Sequence, residues 1–229
     1  MNFLNGLQHL LYPELCLACA GELGQGEKYI CLDCSLNLPK TDFHKNHGNP
    51  AEQVFWGRFS FRSVSSYYYF EKAAGVQQIM HHIKYRNGKD LAKSVGFWYG
   101  QELKFFEDYQ NLDCIIPVPL HKTKLISRGY NQSEWFANGL AGALNVPVQN
   151  DNLVRMVKSE TQTRKTRYKR WENVSDIFEV KFPERLENKH ILLVDDVVTT
   201  GATIEACAQK ILALNCGATI SIATIAFAS

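Results

Sequence analysis

Ile191-Leu-Leu-Val-Asp-Asp-Val-Val-Thr-Thr-Gly-Ala-Thr203 is the stretch that decides the fold of this chain. Ile191 to Val194 is a continuous apolar run, the composition of a strand buried on both faces of a parallel sheet. The strand ends in two carboxylates, Asp195 and Asp196. A turn of hydroxyl and glycine residues then leads into a helix predicted over Thr203 to Asn215, with Gly217 as its stop signal. Such a helix start offers unpaired backbone N–H groups and the positive end of the dipole. Thr199, Thr200 and Thr203 add hydroxyl donors, and Gly201 lets the backbone approach an anion without a Cβ in the way. A phosphate monoester fits there. Carboxylates beside it would repel the ligand unless they face another part of it, and sugar hydroxyls, as donors, are their natural partners. The segment therefore describes a ribose 5-phosphate reader. A P-loop nucleotidase shares the apolar run and the acid, but it requires GxxxxGK[ST], which this sequence lacks. A plain core strand followed by a capped helix would leave two adjacent acids at a buried strand end without a role, which is costly.

Outward from this segment, strands and helices alternate. Ala218 to Ala226 reads as a further strand and Asp113 to Val118 as a shorter one. Asn131 to Leu144 reads as a helix opening with Asn131 and Glu134 in capping-box positions. Val76, Ile79, Met80 and Ile83 keep helical spacing, and a second helix is predicted over Leu91 to Phe106. Phe55 to Phe70 is β-rich and predicts a hairpin or edge strands. The pattern is that of an α/β fold, a mainly parallel sheet flanked by helices with ligands at the carboxyl ends of the strands. Residues 1–40 form a small N-terminal module, 41–53 read as a linker rich in Pro, Gly, Asn and His, and 54–229 form the main domain.

The chain has 229 residues, enough for one full domain and an appendage. Its 25 Lys and Arg against 23 Asp and Glu give a net charge of +2, too even to draw the whole protein onto nucleic acid or an acidic membrane. No run approaches the roughly 18 apolar residues of a membrane span. Phe3, Leu4, Leu7, Leu10 and Leu11 follow helical spacing rather than the pattern of an export signal. Cys114, Cys207 and Cys216 sit in apolar surroundings, and a reducing cytoplasm suits this use of cysteine.

Cys16-Leu-Ala-Cys19 and Cys31-Leu-Asp-Cys34 are two CxxC pairs. Four thiolates satisfy tetrahedral Zn²⁺ with no open position, so the metal would be structural, and a module this small needs such a cross-link to fold. Iron and redox dithiols are the alternatives. His44 and His47 are spaced HxxH, are unnecessary beside four cysteines, and read as solvated linker residues.

Arg155 to Arg170 carries seven basic residues and one acid, Glu160. Charge runs are usually solvated loops. Next to a phosphate site, Arg164, Lys165, Arg167 and Arg170 could instead close over a polyanion as a mobile basic loop. Trp171 and the Tyr67 to Tyr69 strip could stack on bases and make the same surface a single-stranded nucleic acid groove, whereas the tyrosine strip alone reads as packing on a half-buried strand.

The thirteen residues from Ile191 to Thr203 resemble the signature of type I phosphoribosyltransferases, which bind phosphoribosyl pyrophosphate (PRPP). The resemblance implies that Asp195 and Asp196 hold the ribose hydroxyls and that Thr199, Thr200, Gly201, Ala202 and Thr203 hold the 5-phosphate. With four cysteines ahead of such a domain, the chain resembles the ComF family, associated with competence for DNA uptake. Ile116-Pro-Val-Pro-Leu120 and Arg128-Gly-Tyr-Asn-Gln132 are similar to that family's pattern, which implies that Pro117, Val118, Pro119 and Arg128 bind PRPP, the first half standing where related transferases place the pyrophosphate-binding loop. Lys84-Tyr85-Arg86 and Leu91-Ala92 also resemble a family segment. Gln162-Thr163, Arg170 and Asn173 match its mobile loop, although Lys165 stands where an apolar residue is usual.

Two functions follow from this resemblance. In the first, the protein transfers ribosyl 5-phosphate from PRPP to an acceptor, with Mg²⁺ bridging pyrophosphate and ribose oxygens and the protein positioning substrate. In the second, a non-catalytic competence factor binds PRPP and single-stranded DNA. No segment identifies the acceptor.

Overall fold

The computed structural model describes residues 13–70, 74–156 and 177–228. The apolar segment expected as a helix near the N-terminus and the basic loop with Arg164, Lys165, Arg167 and Arg170 lie outside the described residues.

The described residues open with two cysteine knuckles, the second leading into a short helix, α1 (Leu32–Asn37). Helix α2 (Pro50–Gln53) and strand β1 (Ser63–Tyr69) follow. Helices α3 (Ala74–Tyr85) and α4 (Lys89–Leu103) precede β2 (Cys114–Pro117). After α5 (Lys122–Arg128) and α6 (Gln132–Leu144), strands β3 (Leu153–Arg155) and β4 (Phe178–Val180) pair antiparallel as a small separate ribbon. Then come β5 (His190–Val198), α7 (Ala202–Leu212) and β6 (Thr219–Phe227).

The main sheet has the order β1-β6-β5-β2, with every neighbouring pair parallel. Alternation along β5 sends Ile191 and Leu193 to one core and Leu192 and Val194 to the other. Helices α3, α4 and α6 cover the face of Leu192 and Val194, while α7, Phe43 and Phe55 cover the opposite one. Burial on both faces is why β5 reads as an unbroken apolar run rather than an alternating one. Among the described residues no helix is long and apolar enough to cross a membrane.

Three expectations need correction. Strand β5 does not end at the acids, because β6 runs alongside it: Asp195 pairs with Thr224, and the ladder continues to Val198 and Phe227. Of the hairpin or edge strands expected over Phe55 to Phe70, no hairpin forms and one edge strand does: β1 borders the sheet parallel to β6, and its outer side takes hydrogen bonds from Thr41 N–H to the Tyr67 carbonyl and from Tyr69 N–H to the Pro39 carbonyl. Residues 41–53 are not a loose linker. Phe43 and Ala51 enter the core, and Asn49 caps α2 while its amide donates to the Val64 carbonyl. Thr41, Asn49 and Glu52 are buried and satisfy backbone groups, while Lys45 to Gly48 stay exposed.

His44, expected in solvent, is also buried, its ring edge-on to Tyr99 and Phe106. It lies near Asp42 and Glu102, but Glu102 already takes the Lys40 ammonium at 2.7 Å and the Tyr67 hydroxyl at 3.2 Å. His47 is the exposed member of the HxxH pair, between Glu52 and Asp108.

Candidate functional site

Strands β2 and β5 deliver their carboxyl ends to one cleft. Val118 N–H donates to the Val194 carbonyl at 2.8 Å, so the Pro117-Val118-Pro119 turn runs beside the acids. Asn131 fastens the next element. Its side-chain oxygen caps α6 by accepting from Ser133 N–H, and its amide donates to the Val118 carbonyl at 3.0 Å. Capping of this kind contributes about 1 kcal/mol, and here it also sets α6 against the strand ends. Glu134 does not complete a capping box; it accepts from Asn150 instead.

The first residues of α6 therefore reach the acids. Ser133 Oγ donates to Asp195 at 2.9 Å and Gln132 Nε2 to Asp196 at 2.8 Å. From α3, Lys84 Nζ lies 3.3 Å from Asp196. Burial, followed by the neighbouring charge of Asp196, pushes the Asp195 carboxyl up to about 7, against the pull of Lys84.

Beyond β5 the chain enters the threonine turn. Thr199 and Thr200 are exposed, and Gly201 adopts φ 73° before α7 begins. No side chain caps this helix, and the N–H groups of Gly201, Ala202 and Thr203 have no hydrogen-bond partner among the described residues. Free donors at the start of an 11-residue helix suit an anion. Gly201 serves a purpose other than clearance for that anion: a Cβ there would lie 2.5 Å from the buried Phe55 ring.

The acids, Val118, Pro119, Arg128 and Thr203 line one cleft of about 180 Å³. Pro117 lies a residue behind it, in β2. Sequence reading did not assign Lys84, His121, Lys124, Gln132, Ser133 or Arg155 to the site, yet they line the same cleft. Lys84, Lys124, Arg128 and Arg155 share this lining with Asp195 and Asp196, so cationic side chains outnumber carboxylates four to two and the lining favours an anionic ligand. The Arg128 guanidinium stacks over Tyr85 at 5.4 Å.

At the other end of the chain, the sulfurs of Cys16, Cys19, Cys31 and Cys34 lie within 4.8 Å of one another. Cys19 and Cys31 are 3.8 Å apart, and tetrahedral Zn–S bonds of about 2.3 Å imply sulfur separations of about 3.8 Å. Backbone N–H groups of Gly21, Cys31 and Cys34 donate to the sulfurs, as thiolate knuckles require. The cluster could hold a metal such as zinc.

Residues 131–229 match the family model of the phosphoribosyl transferase domain. Along nearly its whole length the chain is similar to DNA utilization protein YhgH of Shigella flexneri, 27% identical over 219 residues that cover 89% of this chain and 92% of that one. It is 32% identical to competence protein F of Haemophilus influenzae over 221 residues, 89% of this chain and 90% of the relative. Competence protein ComFC of Bacillus subtilis is 33% identical over 111 residues, 48% and 43% of the two chains. The parallel sheet flanked by helices is thus a type I phosphoribosyltransferase fold preceded by a four-cysteine module, and the chain belongs to the ComF family.

Proposed function

We propose that the cleft binds PRPP, or another ribose 5-phosphate compound. Asp195 and Asp196 accept from the ribose hydroxyls, and the N–H groups and hydroxyls of Thr199, Thr200, Gly201, Ala202 and Thr203 hold the 5-phosphate. The observation that carries this reading is the placement of two hydrogen-bonded acids next to a helix start whose N–H groups are free. Pro117, Val118, Pro119 and Arg128 border the pyrophosphate end, where Lys84 and Lys124 add charge. Mg²⁺, when bound with PRPP, would neutralise pyrophosphate and sharpen C1 as an electrophile. The protein itself needs no nucleophile; it orients the sugar and offsets charge on the leaving group.

The four thiolates hold structural Zn²⁺, which leaves no open coordination position for chemistry. Free thiols and thiolate ligation call for a reducing compartment, and the cytoplasm is one. The names of the relatives, competence protein and DNA utilization protein, support a place in DNA handling, with PRPP as substrate or as regulatory ligand.

Calorimetric titration with ribose 5-phosphate, PRPP with Mg²⁺, and inorganic pyrophosphate tests the assignment. Replacing Asp195 and Asp196 by Asn removes charge-assisted acceptance worth about 1.5 to 3 kcal/mol per hydrogen bond, so ribose 5-phosphate should bind at least about tenfold more weakly. Pyrophosphate binding should hold. A folded double variant that binds PRPP like the parent would refute the reading. Pyrophosphate release with a panel of amines and bases, alongside single-stranded DNA binding at two salt concentrations, separates a transferase from a binding factor.

A further inference from the structure

Arg58 lies outside every segment that sequence reading assigned to the site, yet its side chain reaches the phosphate turn. Its Nη1 donates to the Thr200 carbonyl at 2.9 Å and to Glu205 Oε2 at 3.1 Å. Peptide bonds among the described residues are trans, so fixing the Thr200 carbonyl on the Arg58 side turns the Gly201 N–H the opposite way. That N–H is one of the free donors at the helix start.

Glu205 poses a second problem that Arg58 answers. It sits in the first turn of α7, where its negative charge favours the helix but competes with any bound anion. The guanidinium pairs with that carboxylate and draws it toward Arg58. Gln209 reinforces the arrangement, donating to the Arg58 carbonyl at 3.4 Å and to Glu205 Oε1 at 3.2 Å. The segment carrying Arg58 is itself anchored. Arg58 N–H donates to the Phe55 carbonyl, and the rings of Phe55, Phe59 and Phe61 pack in sequence, with Phe55 against Gly201.

We propose that Arg58 is a positioning residue for the ribose 5-phosphate site: it orients the Thr200–Gly201 peptide toward the anion and neutralises Glu205, without touching the ligand. This inference rests on the assignment of that site to ribose 5-phosphate. The two are separated by titrating the parent, Arg58→Ala, Arg58→Lys and the double variant Arg58→Ala/Glu205→Gln with ribose 5-phosphate and with inorganic pyrophosphate, alongside a melting curve for each. Arg58→Ala should bind ribose 5-phosphate about tenfold more weakly, the loss of charged hydrogen bonds, with pyrophosphate unchanged. Arg58→Lys, which keeps the charge but not the fork, should fall between the two. Adding Glu205→Gln should recover part of the loss, since the uncompensated carboxylate is then gone. A purely structural tie would show no such recovery, and an unrecovered loss overturns the proposal. So does Arg58→Ala binding as tightly as the parent. A parent that fails to bind ribose 5-phosphate overturns the site assignment, and the role of Arg58 with it.

Discussion

Lys84 Nζ lies 3.3 Å from Asp196, while Asp195, one residue earlier, takes its hydrogen bonds from the Ser133 hydroxyl and the Asp196 N–H. Neighbouring acids thus meet different surroundings, one paired with a cation and the other half-buried and held by neutral donors.

The pH dependence follows from that difference. Asp195 is pushed from 3.8 up to about 7, first by burial and then by Asp196. Ribose hydroxyls are better accepted by the ionised form, so affinity for ribose 5-phosphate should rise as pH climbs through neutrality. Lys84→Met removes an opposing charge and should move the midpoint upward. The sign for folding is the reverse. A carboxyl raised in the folded state favours folding while protonated, so its contribution is full below about 4 and is lost as pH rises toward about 7. Asp195→Asn should flatten both profiles. The phosphate's own titration, with a pKa of about 6, is common to both proteins and cancels in the comparison. Superimposable pH profiles for parent and Asp195→Asn would remove Asp195 from the ligand's reach.

The cysteine module offers a prediction of a different kind. Cys16, Ala18, Ile30 and Leu38 join the core that α3 and α4 build, so the knuckles are docked against the domain rather than tethered to it. Purified protein should carry one zinc per chain. Cys16→Ser should lose the metal, expose residues 13–38 to protease and lower the melting temperature, because metal binding energy is folding energy for so small a module. Metal analysis with limited proteolysis reads both effects. Metal-free protein with an unchanged digestion pattern would show that the thiols need no ion.

What the sequence disclosed, and what it hid, follows from the range of each signal. Ile191 to Val194 and the acids after it were legible because burial on both faces and a glycine turn are local in the chain. The CxxC pairs were legible for the same reason, since ligand spacing within a knuckle is a local constraint. The linker reading failed at Phe43, His44, Asn49 and Glu52, whose polar neighbours bond to backbone more than ten residues away, as Asn49 does to Val64. Gln132 and Ser133 stand at a predicted helix start, but nothing local says that this start faces Asp195 from 62 positions upstream. Arg58 and Thr200 are separated by 142 positions, and only the β1-β6-β5 order brings them together.

Gly201 gives the sharpest test of how the phosphate turn is built. Its φ of 73° costs a residue with a Cβ about 1 kcal/mol or more. The Cβ would also lie 2.5 Å from Phe55 Cε1 and 2.9 Å from Val54 Cγ1, an overpacking that typically costs about 1 to 3 kcal/mol. Gly201→Ala should therefore destabilise the protein by about 2 to 4 kcal/mol in urea unfolding. It should also weaken ribose 5-phosphate, because the turn must shift away from Phe55 and carry its N–H groups with it. The two costs can be separated. Phe55→Leu on its own opens a cavity and is destabilising, yet it makes room for the new methyl group. In the Gly201→Ala/Phe55→Leu double variant the overpacking is relieved and only the backbone strain remains, so the combined loss should be smaller than the sum of the single losses. Part of the ribose 5-phosphate affinity should return with it. Strictly additive losses in unfolding, with no recovery of binding, would mean that Phe55 does not set the turn and that left-handed backbone alone demands the glycine.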